Sequence, residues 1–136
     1  MAIESQLPEK KRILVVEDEM STRTMLVKLL ESVGYEVFQE ERGDTGLDRV
    51  YDLRPDLLLL DLNLPNLTGT EICAKLKSDP RVRDIPILMM TGEFKSPEDK
   101  IKGFGLGADD YITKPFDLSI LLSRIQNLFK AQRPLE

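Results

Sequence analysis

The chain has 136 residues, enough for one globular domain with a hydrophobic core, and its 41% hydrophobic and 32% charged residues exclude a disordered or membrane-embedded protein. Its formal net charge of −5 at pH 7 argues against direct binding to nucleic acid, because no excess of basic residues is available to displace counterions from phosphates. No apolar run is long enough to cross a bilayer and the polar N-terminus lacks a secretory signal, so we predict a cytoplasmic protein that does not contact a membrane.

Five apolar runs of strand length alternate with segments of helical period. The runs are ILVV (13–16), YEVFQ (35–39), LLLL (57–60), ILMM (87–90) and YIT (111–113). The first helical stripe comprises Met25, Leu26, Leu29, Leu30 and Val33, and the last comprises Leu118, Leu121, Leu122, Ile125, Leu128 and Phe129. Weaker helical patterns cover 44–53, 69–78 and 97–106.

This alternation predicts a parallel sheet covered by helices on both faces, because continuous apolar strands are typical of burial from two sides. The fold class is therefore a doubly wound α/β domain with five strands and five helices. We predict one domain over residues 12–131, a disordered N-terminal extension at 1–11 and a short C-terminal tail at 132–136.

Histidine is absent and cysteine occurs once, at Cys73. These counts exclude histidine-based catalysis, a disulfide framework and a thiolate metal site. Cys73 falls within a helical pattern, and we predict that it is a small buried hydrophobic residue. Any chemistry must therefore use carboxylates, hydroxyls, lysine or arginine.

A polar residue directly follows each apolar run, and four of the five runs supply candidate site residues. Glu17 and Asp18 follow the first, Asp61 the third, Thr91 the fourth and Lys114 the fifth. A single acid in such a place is often only a helix N-cap. In doubly wound sheets, however, ligands bind beyond the carboxyl ends of the strands, so we expect all five side chains to meet at one edge.

The acids in this group require a partner of opposite charge. Two carboxylates about 4 Å apart repel each other by roughly 4 kcal/mol at an effective dielectric constant of 20. A hard divalent cation offsets that repulsion, and Mg²⁺ characteristically takes one or two carboxylates while keeping several waters. Asp18 and Asp61 suit this role with Glu17 beside them, and Mn²⁺ can replace Mg²⁺ at such a site.

The combination of "ILVVEDE", "PDLLLLDLNLPNLTG", "ILMMTGE" and "GADDYITKPF" resembles the receiver domain of two-component response regulators, the chemotaxis regulators among them. The resemblance covers Arg12 to Lys130 and implies a flavodoxin-like sheet with strand order 2-1-3-4-5. It also implies that Asp61 accepts a phosphoryl group from a phosphohistidine on a sensor histidine kinase or a histidine phosphotransfer protein. Such a protein is a signalling phosphoacceptor and not an enzyme in the usual sense.

The same resemblance implies roles for the neighbouring residues. Asp18 matches the principal Mg²⁺ ligand, Glu17 the accompanying acid, and Asn63 the residue whose backbone carbonyl completes the metal site. Thr91 and Lys114 match the hydroxyl and the ammonium that bind oxygens of the phosphoryl group.

Two further features of the family concern signalling. Movement of Thr91 is coupled in the family to an aromatic ring three positions before the lysine, which here is Tyr111. Asn63 and Glu93 stand where residues tune dephosphorylation, and their pairing resembles receivers with a phosphoryl state of seconds to minutes. A downstream effector protein or domain would read the switch.

Phosphorylation-dependent homodimerisation is a further expectation that one residue puts in doubt. Part of the dimer-face charge pattern of DNA-binding regulators is present, in Lys100, Lys102, Asp109, Asp110 and Arg124. Ile120 stands where that pattern has an acid. An exposed Ile120 would equally suit another protein interface.

Three other functions fit parts of the sequence. A haloacid-dehalogenase-like phosphatase also uses a strand-end aspartate with Mg²⁺, but it has a second aspartate where this chain has Asn63. A flavin binder of the same architecture needs a phosphate-binding loop after the first strand, where Glu17, Asp18 and Glu19 would repel phosphate. The third is a receiver-fold scaffold that takes no phosphoryl group.

Overall fold

The computed structural model describes residues 9–92 and 107–131. Its strands are β1 (Arg12–Val16), β2 (Glu36–Glu40), β3 (Leu57–Asp61), β4 (Ile87–Thr91) and β5 (Asp110–Thr113). Its helices are α1 (Met20–Ser32), α2 (Gly43–Leu53), α3 (Gly69–Lys77) and α4 (Leu118–Ala131). The helix predicted at 97–106 lies outside the described residues, and the domain boundaries stay a prediction.

The five strands form one parallel sheet in the order β2-β1-β3-β4-β5. This arrangement confirms the doubly wound α/β fold and the strand order that the family resemblance implied. Every residue of β3 and β4 is buried, whereas the edge strand β2 has no fully buried residue. The continuous leucine run therefore lies at the centre of the sheet, where helices cover both faces.

Alternate residues of the strands pack into two separate hydrophobic clusters, one on each face. On one face, Leu14, Leu58 and Leu60 pack with residues of α2 and α3. On the other face, Ile13, Leu57 and Leu59 pack with residues of α1 and α4. No helix within 9–92 and 107–131 combines the length and apolar character that crossing a bilayer requires.

The two long helices bury narrower stripes than the sequence predicts. In α1, Leu26 and Leu30 are fully buried, but Met25 is 37% and Val33 50% exposed. In α4, Leu118 is 40% exposed although it begins the predicted stripe. The reason is that the sheet contacts only the centre of each helical face, so residues at its flank and first turn remain in solvent.

Cys73 is fully buried on α3, as predicted. Burial raises the pKa of its thiol to about 11. We therefore expect Cys73 to resist a thiol reagent such as dithiobisnitrobenzoate at pH 8 in the native protein and to react fully in denaturant. Rapid stoichiometric labelling of the native chain would contradict this burial.

Candidate functional site

The acidic side chains predicted to meet do so at the carboxyl edge of the sheet. Glu17 and Asp18 lie in the loop between β1 and α1, and Asp61 ends β3. Carboxylate oxygens of these three residues all lie within 4.8 Å of one another. Lys114 follows β5 and reaches the same place, so the sheet gathers residues that are up to 97 positions apart.

Lys114 joins two of these acids. Its Nζ lies 2.5 Å from Oε1 of Glu17 and 3.4 Å from Oδ2 of Asp61. Glu17 is fully buried, and its other oxygen accepts a hydrogen bond of 3.1 Å from the backbone N–H of Glu19. Burial disfavours the charged ammonium, yet hydrogen bonding to Glu17 and the charge of Asp61 outweigh it and raise the pKa of Lys114.

Asp18 is the exposed member of the acidic group. Partial desolvation, followed by a hydrogen bond to Glu17 and repulsion from it, raises the pKa of the Asp18 carboxyl. The lysine therefore does not fully balance the three acids. A set of carboxylate oxygens that is short of positive charge suits a hard divalent cation, so these residues fit the predicted Mg²⁺ or Mn²⁺.

The loop after β3 is shaped closely around Asp61. The backbone N–H of Asn63 donates to Oδ1 of Asp61 over 3.2 Å, and the N–H of Gly69 donates to the carbonyl of Leu62 over 2.9 Å. A Cβ atom at Gly69 would lie 2.4 Å from the backbone oxygen of Asp61 and 2.8 Å from Cα of Leu62. Only glycine allows α3 to begin this close to the end of β3.

Replacing Gly69 with alanine should therefore displace backbone and lower the free energy of unfolding by roughly 1–3 kcal/mol. Urea denaturation measures this change. Gly92→Ala is the matched control, because the nearest atom to its added Cβ is 3.8 Å away. Equal effects of the two substitutions would show that the contact between Gly69 and the end of β3 has no special importance.

Thr91 and Tyr111, the predicted switch pair, lie on neighbouring strands. Thr91 is fully buried at the end of β4, and its carbonyl accepts a hydrogen bond of 2.8 Å from the N–H of Lys114. Tyr111 is half-buried in β5 opposite Met89 and lines a surface groove that Ile120 also lines. Their coupled movement stays a prediction, and Glu93 lies outside the described residues.

The charges of the expected dimer face are paired within the chain where the structure describes them. Asp109 accepts from Nζ of Lys77 over 2.8 Å, and Nη1 of Arg124 lies 3.0 Å from each carboxylate oxygen of Asp110. Ile120 is 49% exposed beside the second pair. Lys100 and Lys102 lie outside the described residues.

Sequence reasoning missed one residue at this edge of the sheet, Arg23. It lies in the first turn of α1 and is only 9% exposed. Its Nη1 atom donates to the backbone carbonyls of Glu17 and Asp18, 2.8 and 3.3 Å away. The available signal was its helical phase, since Arg23 precedes the buried Leu26 and Leu30 by three and seven positions.

Comparisons with known proteins agree with this geometry. The response regulator receiver domain family matches residues 13–126. The DNA-binding dual master transcriptional regulator RpaA of Synechocystis is 42% identical over 119 residues, which cover 88% of this chain and 49% of that protein. The chain spans about half the length of the curated relatives it matches.

Solved structures are also similar to this chain in fold. The chemotaxis response regulator CheY4 of Vibrio cholerae is 33% identical with a TM-score of 0.82, covering 88% of this chain and 99% of that one. The receiver domain of sensor histidine kinase PA1611 from Pseudomonas aeruginosa is 27% identical with a TM-score of 0.82, covering 90% and 99% of the two chains. That receiver domain was solved with a magnesium ion coordinated in its active-site cleft.

Proposed function

Since the chain belongs to the response regulator receiver family, we propose that it accepts a phosphoryl group on Asp61 from a sensor histidine kinase or a histidine phosphotransfer protein. Members of the family are signalling regulators and not classical enzymes. The observation that supports the proposal best is the convergence of Glu17, Asp18 and Asp61 within 4.8 Å, next to the ammonium of Lys114.

The transfer step uses the carboxylate of Asp61 as the nucleophile. One of its oxygens bonds to phosphorus while the bond from phosphorus to the donor's imidazole nitrogen breaks, and the electron pair leaves with that nitrogen, which is then protonated. Attack brings negative charge toward negative charge, so neutralisation is the main requirement. Lys114, 3.4 Å from Asp61, supplies one positive charge. The hydroxyl of Thr91 would bind a phosphoryl oxygen.

Asp18 and Asp61, with Glu17 and the backbone carbonyl of Asn63, would hold Mg²⁺ or Mn²⁺. When bound, the metal ion neutralises charge on the acids and on the phosphoryl oxygens. Hydrolysis then returns the site to its starting state, as water attacks phosphorus and the Asp61 carboxylate leaves. Asn63 and Glu93 would set a lifetime of seconds to minutes.

The output of the proposed switch is a change in the surface around Tyr111. Thr91 would move toward the phosphoryl group and Tyr111 would become buried, so that an effector protein or domain, or a second copy of the chain, meets a different surface. RpaA is described as DNA-binding, but the net charge of −5 favours a protein partner for the present chain. The proposed site of action is the cytoplasm.

The proposal is tested by incubating the chain with acetyl phosphate and Mg²⁺ and measuring its intact mass. We expect the mass of one phosphoryl group to be added, and we expect EDTA to prevent the addition. Beryllofluoride with Mg²⁺ should in addition shift the amide resonances of Thr91 and Tyr111. A chain that binds Mg²⁺ yet takes neither group would be a scaffold that is not phosphorylated.

A further inference from the structure

Arg23 makes four polar contacts, and none of them is a close ion pair. Nη1 donates to the carbonyls of Glu17 and Asp18 over 2.8 and 3.3 Å. Nε donates to the side-chain oxygen of Gln39 over 3.0 Å, and Nη2 lies 3.9 Å from the exposed carboxylate of Glu41. The shortest of these contacts is therefore to the backbone of residues 17–19, the acidic loop that joins β1 to α1.

We propose that Arg23 is a positioning residue for the cation site, an inference that rests on the proposed function. It holds the carbonyls of Glu17 and Asp18 on the α1 side of the loop. Their carboxylates are thereby kept in the cluster with Asp61 and Lys114. The guanidinium acts through the loop backbone and not by contact with the metal ion.

The acidic loop depends on this contact because it has few other supports. Glu19, the N-cap residue of α1, makes no side-chain capping hydrogen bond to the helix backbone, and its carboxylate accepts instead from the hydroxyls of Ser21 and Thr22. On the β2 side, the N–H of Glu17 donates to the carbonyl of Glu40 over 3.0 Å. For Asp18, one described hydrogen bond holds the backbone carbonyl, and it comes from Nη1 of Arg23 over 3.3 Å. Fixing that peptide limits the directions available to the Asp18 side chain.

The shape of the guanidinium matters as much as its charge. Its Nη1 atom donates to the two carbonyls, while its Nε atom donates to the side chain of Gln39 on β2. A lysine carries the same charge on a single nitrogen, so it cannot contact both the loop carbonyls and Gln39, which the guanidinium reaches through two separate nitrogens. Arg23 therefore ties the acidic loop to β2 as well as to α1.

The charge of Arg23 and its positioning role predict opposite changes in Mg²⁺ affinity when Arg23 is replaced. Loss of a nearby positive charge alone would tighten Mg²⁺ binding, because the site becomes more negative. Loss of a support for the ligands would weaken it. We expect Arg23→Met and Arg23→Lys each to raise the Mg²⁺ dissociation constant of the full chain about tenfold, measured by isothermal titration calorimetry.

Arg124→Met is the matched control, since it removes the same charge from a half-buried arginine that pairs with Asp110 on another face. We expect it to change the dissociation constant by less than about twofold. In acetyl phosphate assays, the Mg²⁺ concentration for half-maximal rate should rise about tenfold in the Arg23 variants, with the rate at saturating Mg²⁺ nearly unchanged.

Several results would overturn the inference. They are tighter or unchanged Mg²⁺ binding in Arg23→Met, wild-type binding in Arg23→Lys, and equal weakening in Arg124→Met. If Arg23→Met does not fold, Arg23→Lys decides, because it keeps the positive charge but loses the guanidinium, and wild-type Mg²⁺ affinity there refutes the positioning role. A wild-type chain without Mg²⁺ affinity overturns this inference and the proposed function together. A wild-type chain that binds Mg²⁺ but takes no phosphoryl group contradicts only the proposed function.

Discussion

Asp61→Asn is expected to abolish phosphorylation by acetyl phosphate and by a phosphohistidine donor, with no phosphoryl adduct detectable by intact mass. The neutral amide cannot act as the nucleophile that the buried carboxylate provides. Asp48→Asn is the matched control, because Asp48 is exposed on α2 and should leave labelling at the wild-type level.

The Asp61→Asn variant should remain folded. It loses repulsion from Glu17 and Asp18 but also loses attraction to Lys114, so we expect the free energy of unfolding without metal to stay within about 1 kcal/mol of wild type. Urea denaturation measures this. Persistent labelling of a folded Asp61→Asn chain would show that another residue accepts the phosphoryl group.

Lys114→Met is expected to have opposite effects on metal binding and on phosphoryl transfer. The fully buried Glu17 would lose its cation, which should destabilise the metal-free protein by roughly 3–5 kcal/mol. Without the competing ammonium, Mg²⁺ should bind more tightly and restore much of that stability. Transfer from acetyl phosphate at saturating Mg²⁺ should nevertheless slow about a hundredfold, because one stabilising charge is missing.

Lys75→Met provides the control for lost charge, since Lys75 is exposed on α3. Urea denaturation with and without Mg²⁺, calorimetry and the acetyl phosphate assay together separate the three effects. A Lys114→Met chain as stable as wild type without metal would show that the ammonium does not stabilise Glu17. A chain with weaker Mg²⁺ binding would contradict the expected competition.

Most of the fold could be predicted because the residues of the central strands indicate that those strands are buried. The runs at 13–16, 57–60 and 87–90 are apolar throughout, as a strand covered on both faces requires, and all are buried in the structure. The meeting of Asp18 and Asp61 followed from the same reasoning, since parallel strands end at one edge. The strand order came only from the family resemblance, because apolar runs do not specify their neighbours.

The remaining features depend on tertiary neighbours that sequence pattern does not reveal. The burial of Arg23 requires Gln39 and Glu41, which β2 brings close by pairing with β1. The exposure of Met25 and Leu118 likewise depends on how far the sheet extends beneath each helix. Local periodicity locates a helical face but does not fix the edges of the surface that covers it.

The contact between Glu17 and Lys114 links the first strand to the segment after the last one, 97 residues away. During synthesis on the ribosome, four of the five strands can leave the exit tunnel before Lys114 emerges. A nascent chain of that length would carry all three acids without their internal cation. Internal neutralisation of the buried Glu17 therefore depends on a residue that is synthesised after every strand of the sheet.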